Sequence, residues 1–346
     1  MNEESGEVIS PVSTKKPWLW TAVISIVVIF VAGGTFLLFA KGNQNNLTDQ
    51  KETFEKKPPL DENGNPIGGA AVADGKNKNQ YNWSTMDQGP YRDKVSFATG
   101  TSLTDWIDSG KILAEHASVP DVVVKDGVLY VYFVDVSTDG IKEQVRLIKS
   151  SDNGKTWSAK ELITIKGLGD KIAVDPSPFL LDDGQIRLYY FDISTTKTTG
   201  MENNTIYSAI SSDGLNFTEE EGYRLRYRGI FDPDVIRVGD TWRMYVGNED
   251  GSKVYSATSS DGMNFSYEGV AITGGAIPNV IYEAGKYYLY YASDGVTIAT
   301  STDGKIFAKT ANKFQRNGLT ADPGVVKVSD NLYFMVYKTS DKRPIN

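Results

Sequence analysis

A phrase repeated five times constrains this chain more than any other feature. Each repeat starts at a proline: Val119-Pro120-Asp121, Asp175-Pro176-Ser177, Asp232-Pro233-Asp234, Ile277-Pro278-Asn279 and Asp322-Pro323-Gly324. Each proline opens a β-branched or apolar run, and a short polar turn such as KDG, DDG or EAG leads into a second, aromatic-rich run. The five second runs read VLYVYFVD, IRLYYFD, TWRMYVGN, YYLYYASD and LYFMVYKT. A third run ends in a Ser/Asp/Gly turn and an aromatic, as SSDNGKTW, SSDGLNF, SSDGMNF and STDGKIF. Runs of Val, Ile, Tyr and Phe bounded by Gly, Asp and Ser predict strands, and from about Pro90 onward no segment carries a sustained helical stripe. A repeat of roughly 40–60 residues points to propellers, solenoids or arrays.

The fifth repeat reaches Asn346 without a Ser/Asp/Gly turn of its own, whereas residues 95–106, VSFATGTSLTDW, have the strand, small-residue turn and aromatic that close the others. If that N-terminal strand completes the last blade, the ring closes by hydrogen bonding and leaves only short, protected edges. The expectation is an all-β, five-bladed β-propeller over residues 90–346.

Upstream, residues 1–16 form a polar tail ending in Lys15 and Lys16, and residues 17–40 run without a charge, as PWLWTAVISIVVIFVAGGTFLLFA. About 20 apolar residues cross a bilayer core, whereas a secretory apolar region is about 7–15 long, so an uncleaved transmembrane anchor is expected. Trp18 and Trp20 suit an interfacial belt, and Lys15 with Lys16 favours a cytoplasmic N-terminus, placing the C-terminal domain outside the cytoplasm. Lys41, Lys51, Lys56 and Lys57 beyond the span mean that lysine counting alone does not orient it. Residues 41–89, rich in Asn, Lys, Gly, Asp and Pro, read as a flexible linker spanning roughly 40 Å. Asp61-Glu62-Asn63-Gly64-Asn65 within it resembles the start of a calcium loop, but the twelfth position is Val72 and no bidentate Glu closes it.

A net charge of -8 excludes a phosphate backbone as the natural partner. With no cysteine and one histidine, thiol chemistry, thiolate metal sites and most triads are absent. No cofactor or metal is expected, and nothing indicates an oligomeric state.

The turn Ser150–Trp157, SSDNGKTW, resembles the Asp box of sialidases and other propellers, where the aspartate ties down its own turn and the tryptophan packs between blades. That resemblance implies structural roles for Asp152, Asp213, Asp261 and Asp303. Over about residues 95–340 the chain resembles the five-bladed superfamily of arabinanases, β-xylosidases of glycoside hydrolase family 43, invertases and levansucrases. The segment Ala173–Gly184, AVDPSPFLLDDG, is the most similar part. The resemblance implies a central funnel in which acids from the first three blades serve as base, modulator and general acid. It places the first-blade base at Val119 and the third-blade glutamate near Phe231 or Asp232, so the family pattern is incomplete here.

Strand alternation puts Asp121 on the side that Val119 faces, and Asp234 on the side of Asp232. The expected catalytic acids are Asp175, Asp232, Asp121 and Asp322. Asp234, His116, Trp242 and Tyr227 are expected around a bound sugar, the last two as stacking rings near the rim. The same aspartates would serve equally as ties between blade backbones, and acids at hairpin turns such as Asp126, Asp183 and Asp240 have ordinary turn roles. Three functions stay open: glycoside hydrolysis, carbohydrate binding without cleavage, and a scaffold for protein contacts.

Overall fold

The computed structural model describes residues 81–87 and 89–340. The expected tail, the anchor at 17–40 and most of the linker lie outside the described residues. Among those described, no helix is long and apolar enough to cross a membrane. Trp83, inside the stretch read as linker, is buried and donates its indole N–H to Ile141 O at 2.8 Å, because an indole finds both an apolar seat and an acceptor there.

Five sheets, antiparallel apart from one parallel pair in the second blade, form the ring. Their innermost strands are Ala117–Lys125, Ala173–Leu180, Ile230–Val238, Ala276–Glu283 and Leu319–Ser329, each carrying one of the five proline phrases near its start. In the fifth blade the third and fourth strands are Lys94–Gly100 and Ile107–Glu115, and Lys94–Gly100 pairs along its length with Leu332–Ser340. The N-terminal closure therefore supplies two strands. The second blade is widened by Thr164–Lys166, which pairs in parallel with Asn216–Glu219 and ties the first blade's exit to its neighbour. The polar loop after the second blade's aromatic strand contains a short helix, Ile193–Thr199, capped by Asp192, whose carboxylate accepts from Ser194 N.

Five apolar clusters fill the five gaps between adjacent blades. The aromatic second strands supply them because alternate residues face the next sheet. A repeated bolt secures four of the gaps. Tyr132, Tyr189 and Tyr245 each donate a hydroxyl hydrogen bond to the glycine carbonyl of the next blade's Ser/Asp/Gly turn, at Gly214, Gly262 and Gly304, over 2.7–2.8 Å. Tyr290 reaches Leu103 O in the same way at 2.7 Å. The fifth blade has Val336 at this register, and its gap is filled instead by Phe97, Phe334 and Trp157, with the two phenylalanine rings stacked at 4.8 Å. The Asp-box reading holds. Asp152 accepts from Ser150, Thr156 N and Thr156 Oγ1, which hold its carboxyl down at about 2.

Candidate functional site

Each inner strand bends where its proline phrase begins. The residue before the proline has left-handed backbone in all five blades: φ is +48° at Val119, +52° at Asp175, +47° at Asp232, +58° at Ile277 and +49° at Asp322. The strand register shifts at each of these places, as in a β-bulge. Two of these residues are β-branched, for which left-handed backbone is a real outlier. Simple alternation would turn each proline away from its two neighbours. The bulge instead brings the proline to the shaft wall, so residues from all five blades line one axial cavity.

The wall has two layers. The outer layer, before the prolines, consists of Val119, Asp175, Asp232, Ile277 and Asp322. The inner layer, after them, consists of Asp121, Ser177, Asp234, Asn279 and Gly324, of which Asp121 and Asn279 reach the cavity. Gly324 is required there: a Cβ on it would lie 2.5 Å from Asp121 Oδ1 and 2.7 Å from Asp121 Cα.

The inner layer is a structural clasp. Asn279 donates from Nδ2 to Asp234 Oδ1 at 2.8 Å and to Asp121 Oδ1 at 3.2 Å, and its Oδ1 accepts from Val325 N at 2.8 Å. Asp234 Oδ2 also accepts from Val280 N at 2.7 Å. One amide thereby links the first, third, fourth and fifth blades. Burial pushes the Asp234 carboxyl up to about 7, and burial with repulsion from Asp234 pushes Asp121 well above the usual range. Their hydrogen bonds give Asp121 and Asp234 the blade-tying role.

In the outer layer, Asp175 Oδ2 accepts from the backbone N–H of Asp232 at 3.3 Å, and the two side chains also hydrogen-bond to each other. Burial pushes Asp175 up to about 7. Burial and then repulsion from Asp175 and Asp322 push Asp232 well above the usual carboxylate range, so the two carboxyls titrate as a pair that keeps a proton to higher pH than a free carboxyl does. Lys338 Nζ sits 2.6 Å from Asp322 Oδ2, with side chains 6% and 1% exposed. Burial opposes the charge on Lys338, but Asp322 and Asp93 outweigh it and hold the ammonium protonated. Asp93 is buried nearby, and desolvation pushes its carboxyl up to about 7.

Lys338 and Asp93 escape a reading based on motifs, yet the repeats carry a signal for the lysine. Strand register puts Lys338 where the other blades have Val134, Phe191, Gly247 and Ala292. A charge at an otherwise apolar or small position marks something inside that it must face. Asp93 precedes the repeats and has no such frame.

The other expected sugar contacts lie elsewhere. His116 stacks on Tyr91 at 4.0 Å and bonds through Nδ1 to Tyr91 O, at the turn before the first inner strand and off the cavity wall. Trp242 is 6% exposed between the second and third blades, 4.6 Å from Phe179, with Gly262 against its face. Gly262, at φ +71°, is the only residue type that fits, since a Cβ would fall 2.8 Å from the indole. Trp242 thus packs blades and presents no free face to a ligand. Tyr227 is exposed but off the axis, stacked on Tyr267 at 4.6 Å beside the third blade's outer strands.

The cavity measures about 20 Å³, room for about one water-sized group, where sites that enclose a drug-sized ligand run to about 300–1,000 Å³. Among the described residues, no group of three or more acidic or histidine side chains is arranged to hold a metal ion. Fold and site together define an all-β five-bladed propeller with an acidic axial shaft. In structure it is similar to a glycoside hydrolase family 32 β-fructofuranosidase from Bombyx mori, at 17% identity and a TM-score of 0.50, over 71% of this chain. The match spans 57% of that enzyme's length. It is also similar to a β-xylosidase, at 14% identity and a TM-score of 0.50, covering 64% of this chain and 91% of the other. A thermostable family-43 glycoside hydrolase gives 14% identity and a TM-score of 0.51, with 64% and 88% covered. At such identities the likeness shows the shared fold. No protein-family model matches the sequence, and no curated protein matches it.

Proposed function

We propose that this chain is a membrane-tethered, extracytoplasmic propeller that holds a glycan against the mouth of its axial shaft without cleaving it. The observation that carries this reading is the contact between Asp175 and Asp232. Hydrolysis needs two carboxyls about 5–10 Å apart, with the glycosidic oxygen between them. Here the two acids touch, and Val119, which cannot take a proton, occupies the position where the family resemblance puts a base. Left-handed strain repeated around one cavity is a cost of the kind that collects at ligand sites. The structural likeness to glycosidases supports a carbohydrate as the ligand class.

The test is incubation with arabinan, xylan, fructan and bacterial cell-surface glycans, reading both binding and reducing-sugar release. Binding to at least one glycan with no release is the expected result. Release that disappears in both Asp175→Asn and Asp232→Asn would restore hydrolysis, and no binding to any glycan would favour a protein scaffold.

The membrane placement rests on the apolar run at 17–40 and on Lys15 and Lys16 before it. Protease added to intact cells should remove the propeller and leave the N-terminal tail protected. A propeller that is cut only after lysis would reverse that orientation.

A further inference from the structure

Beyond the proton that Asp175 and Asp232 hold between them, the axial wall offers acceptors and almost no donors. Five of the residues lining it are the prolines of the repeated phrase, which have no N–H to give. The Asn279 amide is already spent on Asp234 and Asp121, and Lys338 on Asp322. Acceptors remain over. Asp175 Oδ1 and Asp322 Oδ1 have no hydrogen-bond partner, although these residues are only 3% and 1% exposed and both line the cavity. A buried carboxylate oxygen without a donor is costly, so the shaft is built for something that brings donors to it.

We propose that this cavity is the seat of one protonated primary amine, presented by an amino sugar. The assignment rests on the glycan reading above and narrows it to a class. Size agrees: an ammonium group is compact and carries three donors, and a cavity of about 20 Å³ takes that group while excluding a sugar ring. The ring stays at the lip, where Val119 and Ile277 are half-buried and give it an apolar surface. Charge agrees as well. Lys338 offsets one acid, while Asp175, Asp232, Asp322 and Asp93 all lie within its electrostatic reach. The carboxyls that burial and mutual repulsion hold protonated would be relieved by a second cation. A hydroxyl or an N-acetyl group brings at most one donor and no charge.

Calorimetry on the full-length chain at pH 7 tests this, comparing a glucosamine tetramer with its fully N-acetylated counterpart. The free amine should bind at least tenfold more tightly. Once the protons that the amine itself takes up in binding as an ammonium are subtracted, it should also release protons, seen as a dependence of the heat on the buffer's ionisation enthalpy, because an ammonium beside Asp175 and Asp232 drives off their shared proton. The preference should vanish in Asp175→Asn and persist in Asp240→Asn, which removes a fully exposed charge. Equal binding of the two tetramers, or free-amine binding without proton release, overturns the proposal and leaves glycan binding standing. The proton count is read on the unaltered chain, so it decides even if Asp175→Asn fails to fold. A tetralysine peptide that binds as well as the amino sugar overturns the sugar assignment. Failure of every glycan overturns the broader reading too.

Discussion

Replacing Lys338 with methionine should destabilise the propeller by about 3–5 kcal/mol at pH 8, the usual cost of removing one partner from a buried ion pair. The thioether keeps much of the side chain's volume, so the loss is chiefly that of the ammonium 2.6 Å from Asp322. Asp93 and Asp232 lose the same neighbour. Each is buried, and Lys338 is the cation that acts on both. The cost should shrink at pH 5, because a proton can then neutralise what the lysine neutralised. Lys313→Met serves as the control, since that lysine is half exposed and faces an exposed Asp294; such pairs contribute about 0–1 kcal/mol. Urea titrations at the two pH values measure both variants. A Lys338→Met chain as stable as the parent at pH 8 would show that the axial charges are not coupled in this way.

The parent propeller should itself melt higher at pH 5 than at pH 8. Burial raises Asp93, Asp175 and Asp234 from 3.8 to about 7, and it raises Asp121 and Asp232 well above the usual carboxylate range too. A carboxyl raised in the folded state binds a proton more tightly there than in the unfolded chain. Its contribution is complete below the unfolded value near 4 and is lost as pH climbs through about 7. Most acidic proteins are destabilised by acid because their paired carboxylates have depressed values, as Asp152 and Asp213 do in the exposed turns of this chain. The axial acids should outweigh these turns between pH 5 and 8, where the turn aspartates are ionised in both folded and unfolded states. Between pH 5 and pH 8 one such group traverses about two units, on the order of 3 kcal/mol, or about 8 °C in a domain of this size. Calorimetric scans at pH 5, 6, 7 and 8 should show the midpoint falling, most steeply between pH 5 and 6, where these carboxyls are protonated in the folded chain and ionised in the unfolded one, and less steeply above about pH 7. A flat or rising profile would mean that the axial carboxyls are ionised in the folded state.

The architecture was written in the chain because propeller blades are local. Each sheet is a set of hairpins between neighbouring runs, so the turn chemistry of KDG or DDG and the aromatic run after it specify a blade without reference to distant residues. The blade count follows from the five proline phrases, and closure from VSFATGTSLTDW, which lacked a first and second strand of its own. The Asp boxes were legible for the same reason: Asp152 bonds within its own turn. That aspartates from different blades meet at the axis also follows from sequence, since equivalent positions in a ring face one centre.

What they do on meeting was decided by the tertiary structure. The left-handed bulge that presents Pro120 and its counterparts to the shaft is imposed by ring packing against the preference of Val119 and Ile277, which no local propensity would predict. Asn279 joins residues 158 and 45 positions away, and Lys338 meets Asp93 only because the first and last strands of the described propeller share the fifth blade. Trp242 reads as an open stacking ring until the second blade is set against it. Propensity and pattern act over a few residues, and from these the blades follow. Electrostatic partners are chosen by proximity after folding, so the division of the axial acids into a clasp and an open seat belongs to the assembled ring.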